Sequence, residues 1–223
     1  MEGWWDASAV DQFIYKVIKG DLEKHVRYDW HTFKLLMNAL FTNRQSRSRA
    51  TIVAKEHYDL SPELYMSFLD PYNQYTCGYF KNTDSLNVAQ EQKLDLICKK
   101  LQLKKGDRVL DIGCGWGGFA KYAAEHYKVS VTGISLSKEQ LAYAKEFTKG
   151  LDVELRLQDY RDLDGTFDKI LVCGMIEHVG YKNYREMMQI VNKNLADDGI
   201  FLLHTIGYAK SQKKGDVWME KYI

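Results

Sequence analysis

The chain has 223 residues, 45% of them hydrophobic and 13% aromatic, which is enough for one sizeable core with a smaller appendage. Lys and Arg number 31 against 30 Asp and Glu, so the global positive charge of a nucleic-acid binder is excluded and any anionic partner must be met by a local patch. The four cysteines, Cys77, Cys98, Cys114 and Cys173, form no C-x-x-C pair and no histidine spacing of a zinc site; they read as reduced thiols of a cytosolic protein that holds no metal.

The N-terminal stretch MEGWWDASAVDQF lacks the basic region and apolar run of a leader, and no segment approaches the roughly 20 apolar residues of a membrane span. Apolar residues then recur at helical intervals, Phe13 and Val17 first and Phe33, Leu36, Met37 and Leu40 later, with a break near Gly20, so two amphipathic helices are expected. The segment TNRQSRSRATIVAKEH carries Arg44, Arg47, Arg49 and Lys55 ahead of its first acid; it is either a solvated linker or a contact for phosphate headgroups. A helix should begin in LSPELYMSFLDP, with Ser61 as N-cap and Pro62 at its first position, and be closed by Pro71. Another amphipathic helix is expected over LNVAQEQKLDLICKKLQL.

After Gly106 short apolar runs alternate with helical ones: RVLDIG, GGFAKYAAEHY, VSVTGIS, KEQLAYAKEFTKG, VELRLQD, FDKILVCG, YREMMQIVNKNLA and GIFLLHTIG. That alternation predicts a doubly wound α/β fold with a mostly parallel sheet. Five strands are legible, and KSQKKGDVWMEKYI supplies no evident sixth.

VLDIGCGWGGF joins a strand to a helix through Gly113, Gly115, Gly117 and Gly118, so backbone can approach a ligand closely at a helix N-terminus. Dinucleotide-binding loops expect an acid at the end of the second strand for the ribose, but here that strand ends in TGISLSKEQ, with Ser135 and Ser137 and no acid until Glu139, which counts against NAD or FAD. Asp111 instead precedes the glycines, Gln140 lies in the next helix, and Asp159 and Tyr160 end the third strand, where a carboxylate can accept from an adenine amino group and a ring can stack on the base.

LDIGCGWGG followed by LQDY resembles the S-adenosylmethionine-dependent methyltransferases with a Rossmann-like core. KEHYDLS, QYTCGYF, CGMIEHVG and LLHTIG narrow the likeness: the chain resembles the cyclopropane-fatty-acid and mycolic acid cyclopropane synthases from about Gly3 to its last residue. The resemblance implies that the cis double bond of an unsaturated acyl chain, usually in a phospholipid, attacks the methyl of S-adenosylmethionine. A base then removes a proton from the new methyl and a cyclopropane ring closes. It further implies a bound bicarbonate as that base, set among Cys77, Glu177, His204 and the backbone of Ile206, with Cys77 a wall of the anion pocket and not a nucleophile. Tyr75, Thr76 and Trp116 would border the cofactor, and His57 and Tyr58 would lie over it as a cap.

The same likeness divides the chain into a helical arm and cap (1–104), a cofactor-binding core (105–207) and the start of a substrate-side segment (208–223). The family extends past both ends, which implies a trimmed chain whose sheet is incomplete at its C-terminal side and whose acyl site is partly elsewhere. Its expected setting is the cytoplasmic face of a membrane carrying unsaturated phospholipid, with no nucleic acid and with homodimer formation left open. Two other readings stand beside this one. In an amine N-methyltransferase on the same fold, Glu177 would attract an ammonium; a remnant would bind the cofactor or a membrane without turnover.

Overall fold

Helical spacing of Phe13 and Val17 is realised in α1 (Val10–Lys19), which ends where the Gly20 N–H returns to the Lys16 carbonyl at 2.9 Å. In the computed structural model, residues 6–20, 30, 37 and 62–207 are described. The chain forms two units, residues 1–43, which hold α1, and residues 44–223, which hold every element below. The expected second helix of the arm, the basic connector, the Ser61 cap, His57, Tyr58 and residues 208–223 lie outside the described residues.

Pro62 opens α2 (Pro62–Met66) as its missing N–H predicts. This helix is shorter than the sequence suggests and does not run to Pro71. The Ser67 hydroxyl donates to the Leu64 carbonyl at 2.6 Å, a local bond that competes with helix continuation. Asp70, 2% exposed, then closes a turn by accepting from the Tyr72 N–H at 2.9 Å and the Gln74 N–H at 2.7 Å. The strap that follows, residues 70–76, crosses to α3 (Leu86–Lys100), whose inward side carries Ala89, Gln90, Lys93, Leu94, Ile97 and Cys98.

Five parallel strands follow: β1 (Arg108–Ile112), β2 (Ser130–Ser135), β3 (Val153–Leu157), β4 (Phe167–Cys173) and β5 (Leu195–His204). Their spatial order is β3-β2-β1-β4-β5, so the chain winds outward from β1 and then restarts on its other side with β4. The crossovers are α4 (Gly118–Tyr127), α5 (Lys138–Phe147) and, between β4 and β5, α6 (Ile176–Val179) with α7 (Tyr184–Asn194). Leu195 and Ala196, which continue the apolar period of α7, belong instead to β5. Phe167 pairs with Leu195 but Lys169 with Ile200, so residues 196–199 are accommodated as a bulge.

Strand side chains alternate between two cores. Val109, Val131 and Leu171 pack with Leu94, Ile97 and Leu101 of the α3 region and with Phe119 and Ala123 of α4. Leu110, Ile112, Ile134, Ile170 and Val172 pack on the other side with Met187 and Val191 of α7. Among the described residues no helix is long and apolar enough to cross a membrane.

Where the strap passes α4, Gly118 is required by space. A Cβ built on it would stand 1.7 Å from the Tyr72 carbonyl oxygen and 2.3 Å from the Gln74 side-chain nitrogen. Gly118→Ala should therefore destabilise the protein by roughly 3 kcal/mol or more in urea unfolding. Gly207→Ala, whose Cβ would meet nothing within 4 Å, should change it by less than about 0.5 kcal/mol.

Candidate active site

The site grows from the C-terminal ends of the strands. β1 delivers Asp111 and Ile112, and the chain then turns through Gly113, Gly115 and Gly117 at φ of 84°, 52° and 83°, a left-handed backbone open to glycine. The N–H groups of Gly113 and Cys114 both donate to the Ile134 carbonyl at 3.0 Å, which fixes the loop to β2. Close packing adds a second reason for glycine: a Cβ on Gly113 would come within 2.6 Å of Met175, and one on Gly117 within 2.9 Å of Ala144.

A cleft opens beside this loop. Tyr75 and Thr76 of the strap, Asp111, Gly113, Gly115 and Trp116 of the loop, Ser135 and Gln140 beyond β2, and Asp159 and Tyr160 beyond β3 all line it. Of the residues expected to bind a cofactor, Gly117 alone is outside the lining, at the N-cap of α4. Ser137 caps α5 by accepting from the Gln140 N–H at 3.2 Å, and the Ser135 hydroxyl lies 3.3 Å from the Gln140 side-chain oxygen. Tyr65 places its ring 5.1 Å from that of Trp116 and 5.5 Å from that of Tyr75, giving the cleft an aromatic flank.

Two expected contacts have partners of their own. Asp159 accepts from the Arg161 N–H at 2.9 Å and pairs with the Arg161 guanidinium at 3.0 Å, both side chains only 10% exposed. Tyr160 is buried in the core on the α7 side of the sheet, with the Arg161 guanidinium 4.7 Å from its ring centroid. Arg161 therefore joins the cleft wall as a cation that the strand-and-loop pattern does not announce. The Trp116 indole N–H and the Tyr160 hydroxyl are buried without a hydrogen-bond partner among the described residues, which suits a polar ligand in the cleft.

Beyond β4 and β5 lies the second part of the site. Glu177, in α6, accepts from the Thr205 hydroxyl at 2.8 Å and the Ile206 N–H at 2.9 Å through one oxygen, while its other oxygen is buried and unpartnered among the described residues. Burial opposes its charge, but the Ile206 N–H, its own backbone N–H, the Thr205 hydroxyl and the nearby His178 together outweigh that and hold the carboxyl below the ordinary glutamate range. His204, the last residue of β5, sits opposite Cys173 in the ladder, with its Nδ1 3.4 Å from the Cys173 sulfur. Burial, and after it the Lys93 charge, lower the His204 pKa.

The structure thus joins Glu177 to Ile206 and His204 to Cys173. Cys77 is exposed, and among the described contacts none joins it to those residues; the thiol beside His204 is that of Cys173. Sequence reasoning also passes over Lys93, 3% exposed, which donates to the side-chain oxygens of Gln74 and Thr76. Its signal was available: Lys93 shares the helical stripe of Gln90, Leu94 and Ile97 that faces inward.

A parallel sheet in this order, with its cleft at the strand ends beside a glycine loop, is the architecture of the Rossmann-like class I methyltransferases. The chain aligns with coclaurine N-methyltransferase bound to N-methylheliamine and SAH with a TM-score of 0.72 at 25% identity, over 96% of this chain and 65% of that one. It aligns with the mycolic acid cyclopropane synthase CmaA1 complexed with SAH and CTAB with a TM-score of 0.66 at 34% identity, over 69% and 55%.

The family described as mycolic acid cyclopropane synthetase matches residues 45–223, and the chain belongs to it. All 223 residues are 50% identical to the cyclopropane-fatty-acyl-phospholipid synthase of Escherichia coli (strain K12), and the chain spans 58% of that relative's length.

Burial pushes the Asp111 carboxyl up to about 7, against the opposing pull of Lys93. Its folded value lies above that of the unfolded chain, so the stability it contributes is complete below about pH 4 and is lost as pH rises to about 7, by up to about 1.4 kcal/mol per unit. Asp111→Asn has no such loss. Urea titrations of both proteins from pH 4 to 7 should show wild type losing up to roughly 4 kcal/mol relative to the variant, and parallel profiles would refute the assignment.

Proposed function

We propose that this chain binds S-adenosylmethionine in the cleft and takes part in methylene transfer to the cis double bond of unsaturated acyl chains of phospholipids, forming a cyclopropane ring. The observation that carries the reading is the ionised Glu177 fastened beside His204, next to a glycine-loop cleft. Family membership and the SAH held by two relatives of the same fold support it.

The residues present fit the cofactor. The glycine loop admits close approach, Gln140 and Asp159 offer acceptors, and the Trp116 N–H and Tyr160 hydroxyl await polar atoms. S-adenosylmethionine would supply an electrophilic methyl on a sulfonium. The rings of Tyr65, Tyr75 and Trp116 give positive charge a π-rich wall, worth about 2 kcal/mol when water is excluded.

Bicarbonate fits the second part of the site as the base that receives the proton from the new methyl. Glu177 keeps one buried oxygen free to accept an O–H, and His204 offers a ring N–H. Ile206 serves this arrangement indirectly, because its N–H is spent on orienting Glu177. The exposed rings of Phe68, Tyr75, Tyr79 and Phe80 would meet acyl chains, and the enzyme would work at the cytoplasmic surface of a membrane.

Amine N-methylation is the second reading, favoured by the 96% coverage on coclaurine N-methyltransferase and by a carboxylate suited to an ammonium. The two separate in one assay: the chain is mixed with methyl-labelled S-adenosylmethionine, bicarbonate and vesicles of unsaturated phospholipid, and the acyl chains are read by mass spectrometry. A labelled methylene gained with loss of the double bond is expected; label in added amines and none in lipid would overturn the lipid reading. Glu177→Gln should lower the rate about 100-fold or more with SAH affinity unchanged, measured by calorimetry.

A further inference from the structure

Lys93 is the cation in an inward stripe of α3 that is apolar apart from Gln90, beside Leu94, Ile97 and Cys98. Leucine would fill such a place without the cost of removing an ammonium from water, so the charge calls for a reason in what it touches. It donates to the Gln74 side-chain oxygen and, at 2.8 Å, to the Thr76 hydroxyl, and both residues line the cleft. The neighbouring Gln90 amide donates to the Thr76 carbonyl at 2.8 Å, so α3 grips the strap at three points.

The bonds continue from there into the second half of the site. The Cys173 thiol lies 3.9 Å from the Thr76 hydroxyl and 3.4 Å from the His204 Nδ1. Thr76 is also pressed against the loop after β4, since a Cβ on Gly174 would come within 2.5 Å of its methyl group. One continuous path, Lys93 to Thr76 to Cys173 to His204, therefore links a helix behind the cleft to the ring at the anion corner.

We propose that Lys93 is a positioning residue for this site: it draws residues 74–76 onto α3 so that they wall the cleft, and through Thr76 and Cys173 it sets the orientation of the His204 ring. The first half rests on the reading of the cleft as a cofactor site, whereas the second stands on the bonds alone. The charged and titratable groups that bear on Lys93 are Asp70, Asp111, Cys77 and Cys173; those that bear on His204 are Lys93, Glu177 and Lys100, with Cys173 in contact.

The test compares wild type, Lys93→Met and Thr76→Val, each checked for folding by circular dichroism. It uses calorimetry with S-adenosylhomocysteine and NMR of the histidine rings across pH. In Lys93→Met, affinity should fall about tenfold, and the His204 midpoint should rise because a nearby positive charge is gone. In Thr76→Val the charge stays but the path is cut, so the His204 resonances should shift and affinity should again fall. A folded variant of either kind with wild-type His204 resonances and wild-type affinity overturns the proposal. If Lys93→Met does not fold, Thr76→Val decides by the same two readings. A wild-type chain that binds no S-adenosylhomocysteine would sink the function proposed above, and the His204 resonances would still decide on Lys93.

Discussion

Two buried charges of opposite sign, Asp70 and Lys93, hold the strap of residues 70–76 against the strand ends, and the cleft depends on that hold. Asp70 is satisfied by backbone N–H groups and shapes the turn. Lys93 is satisfied by side-chain oxygens and fixes the strap to α3. A segment without regular hydrogen bonding needs such anchors, because its backbone groups and side chains would otherwise exchange freely with water. The strap is held laterally as well: the Asn73 amide donates to the Tyr143 hydroxyl at 3.1 Å, and the Tyr72 ring stands edge-on to Tyr122 at 5.2 Å.

The sheet explains why these anchors converge where they do. Winding outward from β1 and restarting at β4 leaves the crossovers diverging between those two strands, so a crevice forms at their carboxyl ends. The glycine loop enters that crevice from β1, Met175 and His178 enter it after β4, and the strap closes the side that neither reaches. Each wall comes from a different part of the chain, and the close approaches at Gly113, Gly118 and Gly174 are the places where those parts meet.

Polar groups within these walls are unequally satisfied, and that inequality carries chemical meaning. Ser135, Ser137 and Gln140 bond among themselves and serve local structure as well as any ligand. Glu177 is held by two donors on one oxygen and by none described on the other, which fixes its position and leaves an acceptor for a partner. Asp159 is already matched by Arg161, so a base in the cleft would share it with a guanidinium.

Much of this was legible in the residues. The five strands, the glycine turn and α3 follow from local patterns of apolar spacing and backbone permissiveness, which act within a few residues of chain. The sequence also names Asp111, Gln140, Glu177 and His204 as chemistry-bearing, since each stands at a strand end or a helix start where a doubly wound sheet places ligands. Other features depend on distant partners. That Leu195 and Ala196 join β5, that Cys173 stands beside His204, and that Lys93 is buried are outcomes of packing between segments tens of residues apart. The sequence by itself determined the alternation of elements and the loop that admits a nucleoside, because local sterics and periodicity suffice for both. Only the tertiary structure decided which thiol, which cation and which carboxylate oxygen meet in the site, because desolvation and hydrogen bonding are settled only when remote segments exclude water from one another.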